Sequence, residues 1–137
     1  MSRADGERAR RARRRRGWGA LVVTSVALGV LLPVGLVRRV VVDGDSMLPT
    51  LAPGDRLLVV RTRRPRVGQL VAVPDPRAPT RLLVKRLAAR NGSLLEVRGD
   101  NPDASTDSRT FGPVPTSAVW GRVVRRYAPA ARAGPVA

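Results

Sequence analysis

The sequence predicts a mostly β protein, with a single N-terminal transmembrane helix followed by a small antiparallel β domain. Three observations carry that expectation. Gly17 to Val37 is a run of 21 residues without a charge, about 31 Å as a helix at about 1.5 Å per residue, which matches the hydrocarbon core of a bilayer. From Val40 onward the apolar residues come in short β-branched runs cut by Pro and Gly, with no helical period of useful length and no internal repeat. The chain has 137 residues and neither Cys nor His, so no disulfide or thiolate zinc site stands in for a packed core.

The basic arm comes first. Residues 1–16 hold eight Arg against Asp5 and Glu7, within a chain whose formal charge is +16. By charge alone such an arm suits nucleic acid or anionic lipid. The apolar run behind it turns the arm into a topology signal: a cytoplasmic N-terminus, a helix over 17–37, and the rest of the chain on the far side of the membrane. The lipid bilayer is therefore an expected partner and nucleic acid is not. Trp18 sits at one boundary of the run, where an amphipathic ring prefers to lie. A cleaved signal would have a shorter apolar stretch and a small-x-small site, whereas this one ends in Leu36-Val37-Arg38-Arg39. A buried helix of a soluble core would need more chain around it than this protein has.

Residues 38–127 are expected to form the β domain. Strands are read at Val40 to Val42, Arg56 to Val60, Gln69 to Val73, Arg81 to Leu87, Leu94 to Val97 and Val119 to Val124. Turn signals separate them at Ala52-Pro53-Gly54-Asp55, Arg64-Pro65-Arg66-Val67-Gly68, Pro74-Asp75-Pro76 and Asn91-Gly92. The last is the strongest short-range hairpin signal and folds Leu94 to Val97 back along the preceding strand. It also creates a glycosylation sequon with Ser93, read as accidental beside the turn. Residues 128–137, rich in Ala, Pro and Gly, are expected to be a disordered tail.

Composition limits the chemistry. Without His there is no Ser-His-Asp or Cys-His arrangement, so any catalysis must use another base. No metal-ligand cluster and no phosphate-cradling glycine loop occurs, so no cofactor is expected. Of the 26 basic residues all but Lys85 are Arg. Strand alternation puts Lys85 on one face with Leu83 and Leu87. Desolvation there favours the neutral amine and pulls its pKa down from about 10.4, which is how a lysine becomes a general base. Arg cannot lose its proton at accessible pH. The bland alternative is a snorkelling surface lysine. Ser46 lies nine residues beyond Val37, flanked by Gly and Asp that by themselves read as turn or cap residues. The segment from Gly99 to Gly112 is dense in Gly, Asn, Asp and Ser, hence a loop, delivered by the hairpin to the neighbourhood of Lys85.

Ser46-Met47-Leu48-Pro49-Thr50-Leu51, Val84-Lys85-Arg86, Gly99-Asp100-Asn101 through Ser105, Asp107-Ser108-Arg109 and Phe111-Gly112-Pro113-Val114 together resemble the successive boxes of type I signal peptidases, the Ser/Lys serine peptidases of S26 type. The resemblance spans roughly residues 40 to 124, with the boxes in order behind an anchor. It implies a β fold of signal-peptidase/LexA-like type and no cofactor. It implies Ser46 as nucleophile and Lys85 as base, Ser105 as the hydroxyl that orients the lysine, and Asp107 with Arg109 as an ion pair bracing the site. The Ser46 backbone N–H would be an oxyanion donor, and Met47 and Pro49 would contact substrate. Gly44 stands where some relatives carry a second oxyanion serine, and Gln69 where they often carry Asp. Only 13 residues separate Lys85 from Gly99, so this chain is similar to the minimal members, such as the mitochondrial inner-membrane peptidases and the nickel superoxide dismutase maturation proteases.

The function implied is a membrane-anchored serine endopeptidase that cuts signal peptides from exported preproteins, or else a dedicated maturation protease of one partner. The bias to Arg, Ala, Val and Pro suggests a GC-rich bacterial genome, hence a bacterial cytoplasmic membrane with the catalytic domain outside. A self-cleaving repressor is disfavoured by the uncharged span, and a non-enzymatic scaffold requires Ser46, Lys85 and Ser105 to coincide by chance.

Overall fold

Apolar alternation, interrupted by Pro and Gly, sets the order of elements over residues 35–136, which are those the computed structural model describes. They are β1 (Val37–Val41), β2 (Arg56–Arg61), β3 (Leu70–Asp75), β4 (Ala78–Asn91), β5 (Leu94–Arg98), a short α1 (Ser108–Phe111), β6 (Val114–Pro115), β7 (Gly121–Ala128) and β8 (Gly134–Pro135). One sheet results, in the order β1-β2-β7-β3-β4-β5-β6, with β8 on β7 and every pairing antiparallel.

Burial follows the period of two. In β2, Leu57 and Val59 point inward, while Arg56, Leu58 and Val60 lie on the other face. The inward residues join Val123 of β7, with Met47 and Leu51 from the β1–β2 connection, in one core cluster. A second cluster gathers Leu87 of β4, Leu95 and Val97 of β5, Val114 and Val119. β3 serves both: Leu70 and Ala72 enter the first, Val71 and Val73 the second. That is why Leu70-Val71-Ala72-Val73 is apolar throughout, as a strand covered on both faces requires.

Each of the six expected strands is present. β4 is twice its expected length, because it closes a hairpin at each end, pairing Ala78 with Asp75 and Asn91 with Leu94. Gly92 turns the second hairpin at φ 60°, a left-handed conformation that favours glycine. Two expectations are corrected. Val37 does not end a helix; it opens β1 and pairs with Val60, and the pairing continues through Val40 and Val41 along the sheet edge. The 128–137 tail is not disordered over the residues described. Ala130–Arg132 forms a 3-10 turn and β8 pairs Pro135 with Arg125 and Gly134 with Arg126. Its composition offers little apolar surface, but Arg126 and Arg132 each place Nη1 3.1 Å from the carboxylate of buried Asp55, and Arg126 Nε also donates to the Arg132 carbonyl. Backbone pairing and a buried charge hold what hydrophobic burial alone would not.

The basic arm and the expected transmembrane helix, up to Val34, lie outside the described residues. Among the described residues no helix is long and apolar enough to cross a membrane.

Candidate active site

Ser46 is held by its apolar neighbours. The connection between β1 and β2 is closed at its base by Val42 N to Asp55 O (2.8 Å) and Gly54 N to Val42 O (2.9 Å). Within it, Gly44 adopts φ 80°, and Leu48 N to Asp45 O and Leu51 N to Met47 O wind the chain tightly. Met47 and Leu51 are driven into the core, which fixes Ser46 at the rim above them. The Ser46 carbonyl accepts from Asn101 N at 3.0 Å, and Asn101 Nδ2 donates to Asp45 O at 3.0 Å, tying this segment to the loop after β5. The Ser46 N–H donates no backbone hydrogen bond among the described residues.

Lys85 lies mid-strand in β4, opposite Val71, and shares its face with Leu83 and Leu87 as alternation predicts. It is 2% exposed. Its Nζ donates to Ser105 Oγ at 3.1 Å, and Ser105 Oγ donates to Asp107 Oδ2 at 2.7 Å. Asp107, fully buried, caps α1 by accepting from Arg109 N, and accepts from Gly99 N at 2.9 Å and from Arg109 Nε and Nη2 at 2.9 and 2.6 Å. Those donors, the Arg109 guanidinium first, hold the Asp107 carboxyl well below the usual carboxylate range. Burial pushes the Lys85 pKa down; Asp107 opposes the shift, Arg77 and Arg109 add to it, and Asp75 opposes it weakly.

The polarity of this chain of bonds has a chemical consequence. An ionised carboxylate only accepts, so the Ser105 O–H is committed to Asp107 and its oxygen faces the lysine as acceptor. Lys85 must therefore donate an N–H to Ser105. A neutral amine oriented in this way keeps its lone pair free for another proton.

Gly99 sits where the two halves meet. A Cβ added there would lie under 3.0 Å from both Ser105 Oγ and the Ser46 carbonyl oxygen. Beside it, Asp100 joins three segments: it accepts from Thr50 Oγ1 at 2.6 Å and from Arg86 Nε and Nη2 at 2.8 and 2.7 Å, while Arg86 Nη1 reaches the Gly68 carbonyl. Thr50, four residues after Ser46, and Arg86, the residue after Lys85, are thus fastened to one carboxylate.

Ser46 and Lys85 line a common cleft of about 380 Å³, with Gly44 and Met47 on one wall, Leu83 on the other, and Arg77 and Arg81 at its edge. The structure thus brings Ser46, Met47, Lys85, Ser105, Asp107 and Arg109 together. Pro49 is the exception. It is exposed and does not line the cleft, because the turns at Asp45–Leu48 and Met47–Leu51 carry the chain away after Met47. Gln69 has a local role instead, its Oε1 accepting from Arg66 N at 2.9 Å in the turn before β3. Sequence reasoning missed Gly99, the Thr50–Asp100–Arg86 link and Arg77. For Arg77 a signal existed in Asp75-Pro76-Arg77, an acid and a base two residues apart: the side chains pair at 2.9 and 3.0 Å. Among the described residues no cluster of acidic, His or Cys side chains could hold a metal ion.

A single antiparallel sheet puts a serine and a buried lysine amine in one cleft of this β protein. The sequence matches the family described as "Signal peptidase, peptidase S26" over residues 15–100 and 94–128, and the chain belongs to that family of proteases. It is 36% identical over 115 residues to the mitochondrial ATP-independent inner membrane protease subunit 1a of Arabidopsis thaliana, covering 64% of this chain and 68% of that one. With the mitochondrial inner membrane protease subunit 1 of Xenopus tropicalis it shares 31% over 121 residues, 71% and 72% of the two chains. With the probable signal peptidase I-1 of Synechocystis it shares 25% over 162 residues, 83% of each.

Proposed function

We propose that this protein is a membrane-anchored serine endopeptidase that removes signal peptides from exported preproteins with a Ser46/Lys85 dyad. The observation that carries the reading is the buried Lys85 amine, donating to Ser105 in the cleft that Ser46 also lines. The neutral amine takes the Ser46 hydroxyl proton as Oγ attacks the scissile carbonyl. The ammonium so formed passes that proton to the leaving amine as the C–N bond breaks, leaving an acyl ester on Ser46. A water then gives its proton to Lys85 and attacks the ester. Release of the carboxylate product returns the proton to Ser46 Oγ and the amine to its neutral form. The Ser46 N–H faces the developing oxyanion.

Substrate geometry fits the same reading. An extended segment can lie along the cleft between the end of β1 and β4, where Val40 to Val42 and Leu82 to Val84 provide backbone edges and apolar walls. Anchoring enzyme and substrate in one bilayer raises their effective concentration. The membrane is the bacterial cytoplasmic membrane, with the catalytic domain outside.

The test mixes the full chain and its Lys85→Arg variant, in detergent, with several unrelated secretory precursors and a nickel superoxide dismutase precursor, and reads product masses. Wild type cuts many precursors after small-x-small sites, and the Arg variant, which keeps the charge but cannot give up its proton, cuts none. Cleavage of one precursor alone would make the protein a dedicated maturation protease. Equal activity of the variant would remove Lys85 from the mechanism.

A further inference from the structure

Strand alternation along β4 puts Arg81 on the face of Leu83 and Lys85, two alternations before the buried amine. All three line the cleft. Arg81 and Lys85 are about 13 Å apart along the strand, at about 3.3 Å per residue. The two arginines at the cleft edge differ in what holds them. The Arg77 guanidinium is fastened at two points to buried Asp75, by Nε at 3.0 Å and Nη2 at 2.9 Å. Arg81 has only Asp43, at 3.6 Å and without a hydrogen bond, and the Asp43 side chain is 90% exposed. Such an exposed pair is held weakly. The Arg81 guanidinium therefore presents its fork of N–H donors to whatever enters the cleft.

The strand edges beside it can take an extended peptide. β4 pairs with β3 from Leu82 to Arg86 but meets β5 only from Arg86 onward, so ahead of Arg86 its second edge has no strand beside it among the described residues. β1 likewise pairs with β2 alone. The direction of a peptide between these edges follows from the chain. β1 runs from the uncharged segment toward Ser46, and the apolar segment of a preprotein precedes its scissile bond, so the substrate runs beside β1 in the same sense. Asp43 meets Arg81 ahead of Ser46, which puts residues 81 to 85 of β4 in that sense too. When the residue carrying the scissile carbonyl lies opposite Lys85, the third residue before the bond lies opposite Leu83 and the fifth opposite Arg81. The first and third are the small residues of a small-x-small site, and the fifth shares their face.

We infer that Arg81 determines specificity: its guanidinium takes a carboxylate on the fifth residue before the scissile bond, in exchange for Asp43. The inference rests on the peptidase reading for the direction and register of the substrate. A substrate carboxylate can accept two N–H bonds from one guanidinium, a contact that Asp43 does not make. Arg77 adds a second positive charge at the same edge. A neutral side chain at the fifth position leaves the Asp43 pair as it is, and a basic one meets like charge. The favoured sequence before the bond is therefore acid-x-small-x-small.

The test uses the full chain with Ser46→Ala, in nonionic detergent, and fluorescent peptides that carry a small-x-small site. The fifth residue before the bond is Glu, Gln or Lys, and in one further peptide Glu stands at the fourth residue, on the opposite face. Dissociation constants are read by fluorescence anisotropy. The Glu peptide binds severalfold tighter than the Gln peptide, the Lys peptide binds weakest, and added salt narrows the differences. Glu at the fourth residue gains nothing. Asp43→Asn widens the Glu-to-Gln ratio, and Arg81→Glu inverts the order in favour of Lys, which loss of packing alone would not do. Equal binding of all the peptides with Arg81 intact, an equal gain at the fourth residue, or no binding at all overturns the inference, whether or not the Arg81 variant folds. With Ser46 restored, the Glu-to-Gln ratio appears in KM. A chain that discriminates the peptides and cuts none keeps Arg81 as a recognition residue and removes the peptidase reading. One that cuts all of them with a single KM removes Arg81 and leaves the peptidase.

Discussion

Opposed influences meet on the Lys85 amine. Burial, Arg77 and Arg109 favour the neutral form, Asp107 and Asp75 the charged one, and the neutral form gains. If Lys85 is the base, activity rises with pH as the amine loses its proton, so the acid limb of kcat/KM falls below the ordinary lysine value of 10.5. Arg77 is anchored by Asp75, which its own guanidinium holds below the usual carboxylate range, and it lines the cleft. Arg77→Gln removes a positive charge and leaves Asp75 in place. The acid limb therefore moves to higher pH while the alkaline plateau is kept, and kcat/KM on a signal-peptide substrate measured across pH reads the shift. An unmoved limb would mean that solvent screens Arg77 from the amine. Lys85 was legible in the sequence because it is the sole lysine and sits between leucines. Arg77 was legible only as a local partner of Asp75; its place in the cleft beside Lys85 comes from the fold of the β3–β4 hairpin.

At the scale of elements, the site is an agreement between three segments: the turn carrying Ser46, the strand carrying Lys85, and the loop from Gly99 to Arg109. Gly99 marks their closest approach. Gly99→Ala forces either the Ser105 hydroxyl or the Ser46 carbonyl to move, and a shift of about 1 Å at a reacting group costs on the order of 100-fold in rate. The expected outcome is a steep loss of kcat with the far-ultraviolet spectrum retained; full activity would show that the segments yield elsewhere. The strands themselves were legible, from alternation in β2 and β5 and from the unbroken apolar run of β3, and so was the hairpin at Asn91-Gly92. The tail was not. Its order comes from Arg126 and Arg132 meeting buried Asp55, partners 71 and 77 residues apart, and local composition carries no trace of so distant a pairing. Arg126 is the more buried of the two. Arg126→Ala leaves the Asp55 carboxylate half-compensated and costs about 3 kcal/mol, whereas Arg132→Ala, a third exposed, costs about 1 kcal/mol or less. Urea denaturation of both variants measures the difference, and equal costs would place the tail's anchor in backbone pairing instead.

Across the whole molecule, the acidic and lysine shifts share one sign. Asp75, Asp100 and Asp107 are each held below 3.8 by an arginine, and Lys85 is pushed below 10.5. In every case the folded protein binds fewer protons than the unfolded chain within its window, so stability rises with pH there. The carboxylates contribute stability that is fully present above 3.8 and is lost as pH falls through their folded values. Lys85 works on the alkaline side: as pH drops from 10.5 toward its folded value, the unfolded chain takes up the proton first and stability declines, then levels off. A formal charge of +16 sharpens the acid side, because each protonated carboxylate adds to self-repulsion. Denaturant unfolding of the full chain in detergent at pH 3, 5, 7, 9 and 10.5 should therefore give a free energy that climbs on the acid side and climbs again toward 10.5. Arg109→Gln, which removes the largest cause of the Asp107 shift, raises the pH at which acid unfolding begins. A free energy that stays flat from pH 7 to 10.5 would show that Lys85 keeps its proton in the folded protein, which would also deprive the proposed mechanism of its base.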